Sequence, residues 1–426
     1  MAKRTKSNNN PAQAMREAAR YLMNTYKRPP IVFTHGKGCY LFDQRGRKYL
    51  DMLGGIAVNA LGHAHPRLVR VIRREAARAI HTSNLFHNPW QGPLAKKLVA
   101  WSRMERIFLT NSGTEAIEGA LKLARLHARK TAGEGKTRIL ALENSFHGRT
   151  YGAVSITATA KYREPFAPLL PGVEFVKFND VADLEAKFDA TVCALVIETI
   201  QGEGGIYSVN EAFWQRARQL ATLHGAALIA DEIQCGLGRT GRYFAYQKFP
   251  DLPDVVVVAK PLAGGLPSGA ILARGAFAET FSPGLHGTTF GGGPLVCATA
   301  LEFLNTVDEE KLMANVRARG AELRAGLIKL AAKFDFVREL RGDGLMIGLE
   351  LSVPGAAYVE EALRQGLVMN CTHDYTLRLL PAFILTARQV NDFLSRLETV
   401  FAKTKRPIPE AAPAAHQPET ALAAAR

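Results

Sequence analysis

Residues 226–269 read AALIADEIQCGLGRTGRYFAYQKFPDLPDVVVVAKPLAGGLPSG, and two short apolar runs inside them decide the fold. The runs are Ala226–Ala230 and Val255–Ala259, followed directly by Asp231 and Lys260. Uninterrupted apolar runs of about five residues are the pattern of parallel strands covered on both faces. In open α/β sheets, functional groups collect just past the carboxyl ends of such strands. One acid and one lysine are therefore expected on the same rim of one sheet. Any two strand ends can share an ion pair of that kind, so the neighbours have to decide its meaning. Lys260 emerges from VVVVA, an apolar wall that lowers a lysine pKa by desolvation. Gly264, Gly265 and Gly269 follow it, and Asp231 opens the glycine-rich turn DEIQCGLGRTG.

Working outward, RIFLTNSGTEAIEGALKLARLHAR (106–129) predicts a strand at Ile107–Thr110 that turns through Ser112-Gly113-Thr114 into a helix. Ser112 and Glu115 have capping-box spacing, and Ile117, Leu121 and Ala124 form an apolar stripe. A helix start with free N–H groups and a hydroxyl is a seat for a phosphate, although most capped helices bind nothing. Further strands are expected at Ile139–Leu142 and Val192–Glu198, with a helix at 211–224 stopped by Gly225. A nucleophilic lysine, a facing carboxylate and a phosphate seat together point to pyridoxal 5'-phosphate chemistry.

The motif DEIQxGxGRTG followed by an apolar strand ending in Ala-Lys resembles the class III aminotransferases, the ω-amino-group branch of the fold-type I pyridoxal-phosphate enzymes. The likeness runs from about Tyr21 to Thr399. It implies an α/β fold with a mostly parallel central sheet sandwiched by helices, beside a smaller α+β lobe made from the two chain ends. It also implies that Lys260 holds the cofactor, Asp231 keeps its ring nitrogen protonated, and Gly113 and Thr114 hold its phosphate. Phe146 would stack on the ring and Gln234 would bond its ring oxygen. Arg149 would take a substrate carboxylate, and Glu203 would pair with Arg378 as a switch that frees the arginine for the α-carboxylate of glutamate. Thr289 would reach the phosphate of a neighbouring subunit, with Thr288 near substrate, so a homodimer with shared sites is expected. Residues 54–59 would line the cleft mouth. Within the family the likeness points to members that move the terminal amine of N2-acetylornithine to 2-oxoglutarate, a step of arginine biosynthesis. Succinyl-diaminopimelate, ornithine, 4-aminobutyrate and carrier-protein-linked lysine stay open as amine donors. A mutase or decarboxylase, or a basic binding protein, are the readings from other classes. Ile117, Pro261 and Gly293 depart from the family pattern.

Composition sets the limits. With 426 residues, 47% hydrophobic and 22% charged, the chain can bury a large core. The boundaries expected are a disordered basic stretch 1–12, an N-terminal lobe 13–65, a large domain 66–298, a small domain 299–403 and a disordered Pro/Ala tail 404–426. No apolar run reaches bilayer length, and MAKRTKSNNNPAQ has no apolar signal core. Five scattered cysteines without a C-x-x-C argue for the reducing cytoplasm and against zinc or any other metal. Residues 1–30 carry seven Lys/Arg against one acid, and 403–426 carry four against two, so eight of the fifteen excess positive charges lie in the terminal segments. With no interleaved aromatic and basic residues, neither a nucleic acid nor a membrane is expected as a partner. Small acidic substrates fit the charge remaining in the body.

Overall fold

Strand Val192–Glu198 is buried at all seven positions and lies inside a seven-stranded sheet. The computed structural model describes residues 10–404. The sheet runs in the order Arg106–Thr110, Gly269–Ala273, Val255–Val258, Ala227–Asp231, Val192–Glu198, Arg138–Leu142, Val173–Val176. Only Gly269–Ala273 is antiparallel to its neighbours, so the sheet is mostly parallel. Both faces are covered, which is why valine, isoleucine and alanine fill these strands without polar alternation. Helix Gly113–Ala132 packs one face through Ile117, Leu121 and Ala124. Helix Glu211–His224 packs the other through Phe213, Trp214 and Ala217, and ends on Gly225 at φ 62°.

The two chain ends build the second body. The meander Phe33–Lys37, Tyr40–Asp43, Lys48–Asp51 takes Leu367–Val368 as a parallel fourth strand. A four-stranded antiparallel sheet orders Val337–Asp343, Met346–Leu351, Thr376–Leu379 and Asn370–Thr372. Helix Leu312–Ala331 packs against its strand Val337–Asp343, and helix Ala387–Lys403 packs against that helix. The expected boundary at 298/299 falls inside one helix, Pro294–Glu309.

Several element ends differ from what the residue pattern alone gives, for local reasons. REAARYLM reads as a helix from about Met15, but the first helix begins at Pro11, because the Asn10 side chain accepts from the Ala12 and Gln13 amides. The closing helical pattern starts at Gln389, but the last helix begins at Ala387, because Thr386 and Gln389 form a reciprocal cap. PRLVRVIRREAARAI reads as an amphipathic helix over Pro66–Ile80 with Leu68, Val71 and Ile72 on one face, but it stops at Ala76, where residues 76–80 are all exposed. The disorder expected for residues 1–9 and 405–426 lies outside the described residues.

Candidate active site

Asp231 and Glu198 end adjacent parallel strands as register partners, so two carboxylates leave the sheet side by side. Like charges at that spacing need a cation between them. His147 supplies it: its Nδ1 lies 2.7 Å from Asp231 Oδ2, with both side chains at most 3% exposed. Burial opposes charge on the imidazole, but the Asp231 hydrogen bond and the charges of Asp231 and Glu198 outweigh it and raise the His147 pKa. The other Asp231 oxygen accepts from the Ile233 amide at 3.0 Å. Burial pushes Glu198 up to about 7; the His147 charge opposes this and the Asp231 charge adds to it. Glu198 accepts from Phe146 N at 2.8 Å and from Gly202 N at 2.9 Å.

Lys260 stands just past the end of the next strand over, Val255–Val258, where a short 3-10 turn begins. Val257, three residues before it, is the register partner of Asp231. Its φ of 30° is rare for a side-chain-bearing residue, and such strain gathers at functional sites. Burial lowers its pKa; the Glu203, Asp231 and Glu198 charges oppose the shift and that of Arg378 reinforces it. These four charged groups therefore lie within electrostatic reach of the amine. Arg378, 1% exposed, donates through Nη1 to Glu203 Oε1 at 2.5 Å, Gly202 O at 3.0 Å and Gln234 Oε1 at 3.2 Å. Its Nε donates to Asn370 Oδ1 at 3.2 Å. Burial raises the Glu203 pKa, but the Arg378 charge and hydrogen bond bring it below the usual carboxylate value. Gly202 must lack a side chain here, since a Cβ would come within 2.5 Å of the Gln234 amide.

At the helix start, the Ser112 hydroxyl accepts from Glu115 N at 3.3 Å. The Glu115 carboxylate turns to Asn111 N and Nδ2, at 2.8 and 3.0 Å, so the expected capping box closes on Asn111 instead of Ser112. Gly113 N and Thr114 N are among the first amides of the helix and have no intrahelical acceptor. Thr114 Oγ1 is 2.7 Å from Thr150 Oγ1 and accepts from the Arg149 and Thr150 amides, both at 3.2 Å. That ties the helix start to the loop carrying Phe146 and Arg149. The Arg149 guanidinium sits 3.9 Å from the Tyr162 ring centroid and 5.4 Å from that of Phe146. Arg149 remains exposed, free to meet an anion from solvent.

The structure thus gathers Lys260, Asp231, Glu203, Arg378 and Gln234 by contact, register or shared field, and it joins Thr114 to the Arg149 loop. Gln234 is committed to Arg378. Thr288 Oγ1 accepts from Asn111 Nδ2 at 3.1 Å, beside the helix start. Thr289 is exposed, and among the described residues no hydrogen bond or ion pair links it to the lysine cluster. Sequence reasoning left two groups without a role. His147 sits in NSFHGRT (144–150) and Tyr162 in a plain AKYR (160–163), and only a spatial partner distinguishes either. The set fits pyridoxal phosphate: a buried carboxylate already opposed by a cation, a lysine amine of lowered pKa, and open amides at a helix start.

The sequence pattern of the family Aminotransferase class-III matches residues 21–401. Acetylornithine aminotransferase of Aquifex aeolicus is 43% identical over 381 residues, 89% of this chain and 99% of that protein. Its counterpart from Gloeobacter violaceus is 45% identical over 385 residues, 90% of this chain and 96% of that protein. Among solved structures, ornithine aminotransferase from Toxoplasma gondii superposes with a TM-score of 0.88 at 32% identity, covering 92% of this chain and 95% of that one. Acetylornithine aminotransferase from Elizabethkingia anophelis gives 0.82 at 30% identity, covering 92% and 99%. The architecture is that of the fold-type I enzymes, with pyridoxal phosphate as cofactor. With this sheet, this lysine and matches of that extent, the chain belongs to the class III aminotransferases.

Proposed function

We propose that the protein transfers the terminal amino group of N2-acetylornithine to 2-oxoglutarate, giving N-acetylglutamate 5-semialdehyde and glutamate. The Glu203–Arg378 pair beside Lys260 carries this reading. One site must accept an amine donor and a dicarboxylic acceptor in turn, and a cation masked by a movable anion permits both. Pyridoxal phosphate, when bound, supplies an aldehyde for amine exchange and a ring that accepts electrons from the substrate carbon. Lys260 would hold it, and its amine would move a proton at the substrate's reacting carbon. Asp231, steadied by His147, keeps a ring nitrogen protonated, and the Gly113 and Thr114 amides receive the phosphate. Phe146 would offer the ring a flat wall, and Gln234 would bond its ring oxygen. Acetylation leaves acetylornithine with one α-carboxylate and no α-ammonium, so a single guanidinium, Arg149, suffices to orient it. 2-Oxoglutarate has two carboxylates and needs Arg378 as well, unmasked when Glu203 turns away.

The choice of amine donor is supported by the relatives at 43% and 45% identity, which are acetylornithine enzymes. We divide the chain into a large sheet domain and a small lobe from both ends. We also read it as a homodimer. Leu85, Phe86 and Phe290 are 86%, 68% and 66% exposed on abutting segments, held together by Asn84 Nδ2 donating to Thr288 O and Gly291 O. An apolar patch of that kind beside Thr289 suits a second copy completing each site, with Thr288 and Thr289 at the seam. Five cysteines without a disulfide suit the cytoplasm. Among the described residues, no helix is long and apolar enough to cross a membrane, and no group of three metal-ligating side chains occurs. Steady-state assays with acetylornithine, ornithine, succinyl-diaminopimelate and 4-aminobutyrate test the reading. The highest kcat/KM is expected for acetylornithine, and a large preference for another donor refutes it.

A further inference from the structure

Glu198 belongs to neither the expected cofactor contacts nor the Glu203–Arg378 pair, yet it touches both sides of the site. Its Oε1 accepts from the amide of Phe146, the residue before His147, whose ring is bound to Asp231. Consecutive residues of one loop are thus pinned to the ends of two neighbouring strands. Its Oε2 accepts from the amide of Gly202, the residue before Glu203. Arg378 closes the same turn from the other side by donating to both Gly202 O and Glu203 Oε1. Glu198 itself is 5% exposed, so neither bond is exchanged with water.

We propose that Glu198 is a positioning residue whose one carboxylate fixes the Phe146 wall and the Gly202–Glu203 turn at a set spacing. The proposal rests on the transaminase reading for what that spacing serves, but not for its existence. Two acceptor oxygens on a rigid planar group cannot follow independent movements of two loops. A carboxylate also answers two N–H donors, whereas an amide answers one and turns its own N–H₂ toward the other. Burial raises the Glu198 pKa, and the two backbone donors favour its ionised form.

Hydrogen exchange in the holoenzyme tests this directly. Glu198→Ala is expected to accelerate exchange in segments 144–150 and 199–205 together, on the order of tenfold or more for loss of a charge-assisted bond. Glu198→Gln is expected to loosen one of the two and leave the other protected. Wild-type exchange in both segments of either variant overturns the proposal. If Glu198→Ala does not fold, Glu198→Gln alone decides. A double-mutant cycle separates positioning from mere support: Glu203→Ala should change the single-turnover rate with 2-oxoglutarate less in the Glu198→Ala or Glu198→Gln background than in wild type. Additive effects refute the positioning role. A protein that folds with this exchange pattern but transfers no amine refutes the transaminase reading and leaves the spacing role intact.

Discussion

Replacing Asp231 by Asn keeps the size of the side chain and removes its charge, so it isolates what the carboxylate does for His147. The pair is separated by 2.7 Å and shielded from water, with side chains 0% and 3% exposed. Hydrogen bonds to charged groups contribute roughly 1.5–3 kcal/mol, and breaking a buried pair by removing one partner costs about 3–5 kcal/mol. An isosteric amide retains an acceptor oxygen, so the lower range applies. The sign with pH follows from the direction of the shift. The His147 pKa is raised above its unfolded value by Asp231, so its stabilising contribution is full below about pH 6.5 and lost as pH rises through the folded value. The stability gap between wild type and Asp231→Asn should therefore be widest near pH 6 and narrow in alkali. Denaturant titrations of the cofactor-free protein from pH 6 to 9 measure that gap, and NMR of the imidazole should show a lowered His147 pKa in the variant. Loss of a preorganised charge at a reacting centre also costs about 10²–10³ in kcat. A gap that is flat or widens with pH, or an imidazole titrating as in wild type, refutes the reasoning.

Arg378→Ala unmasks Glu203 and removes a positive charge near Lys260. The half-reaction with 2-oxoglutarate should fall by at least about tenfold, for a lost charged hydrogen bond, while that with the amine donor falls less. The same substitution deletes a charge that helps lower the Lys260 pKa, so uptake of pyridoxal phosphate by the cofactor-free protein should shift to higher pH. An unchanged pH profile contradicts this. Ile56 is a β-branched residue at φ 61° and ψ 62°, a conformation that costs roughly 1–2 kcal/mol for non-glycine residues. Ile56→Gly relieves that strain, while glycine's extra unfolded-state entropy offsets about 0.5–1 kcal/mol. Chemical denaturation should show stability unchanged or raised by up to about 1.5 kcal/mol, and a clear loss shows that the Ile56 side chain holds the turn.

The sheet was legible in the sequence because both-faced burial writes strands as unbroken apolar runs. Val192–Glu198 and Glu211–His224 match their expected ends residue for residue. Lys260 and Asp231 were legible because each breaks such a run. Caps on the far side of an element were not: Asn10 and Thr386 move helix starts by capping where the apolar stripe has not begun. Groups that act through pairing across the fold were also hidden. His147 and Glu198 are 84 and 33 residues away in sequence from the Asp231 they face; strand register brings Glu198 there, and the loop after Arg138–Leu142 brings His147. Tyr162 under Arg149 is the same case, an ordinary aromatic until the loop folds over it.

The identity of the amine that carries the cofactor is the most direct test. Purified protein incubated with pyridoxal phosphate, reduced with borohydride and digested should yield one labelled peptide by mass spectrometry, modified at Lys260, and Lys260→Ala should yield none. Stoichiometric labelling at another lysine, or undiminished labelling of the Lys260→Ala protein, contradicts the account.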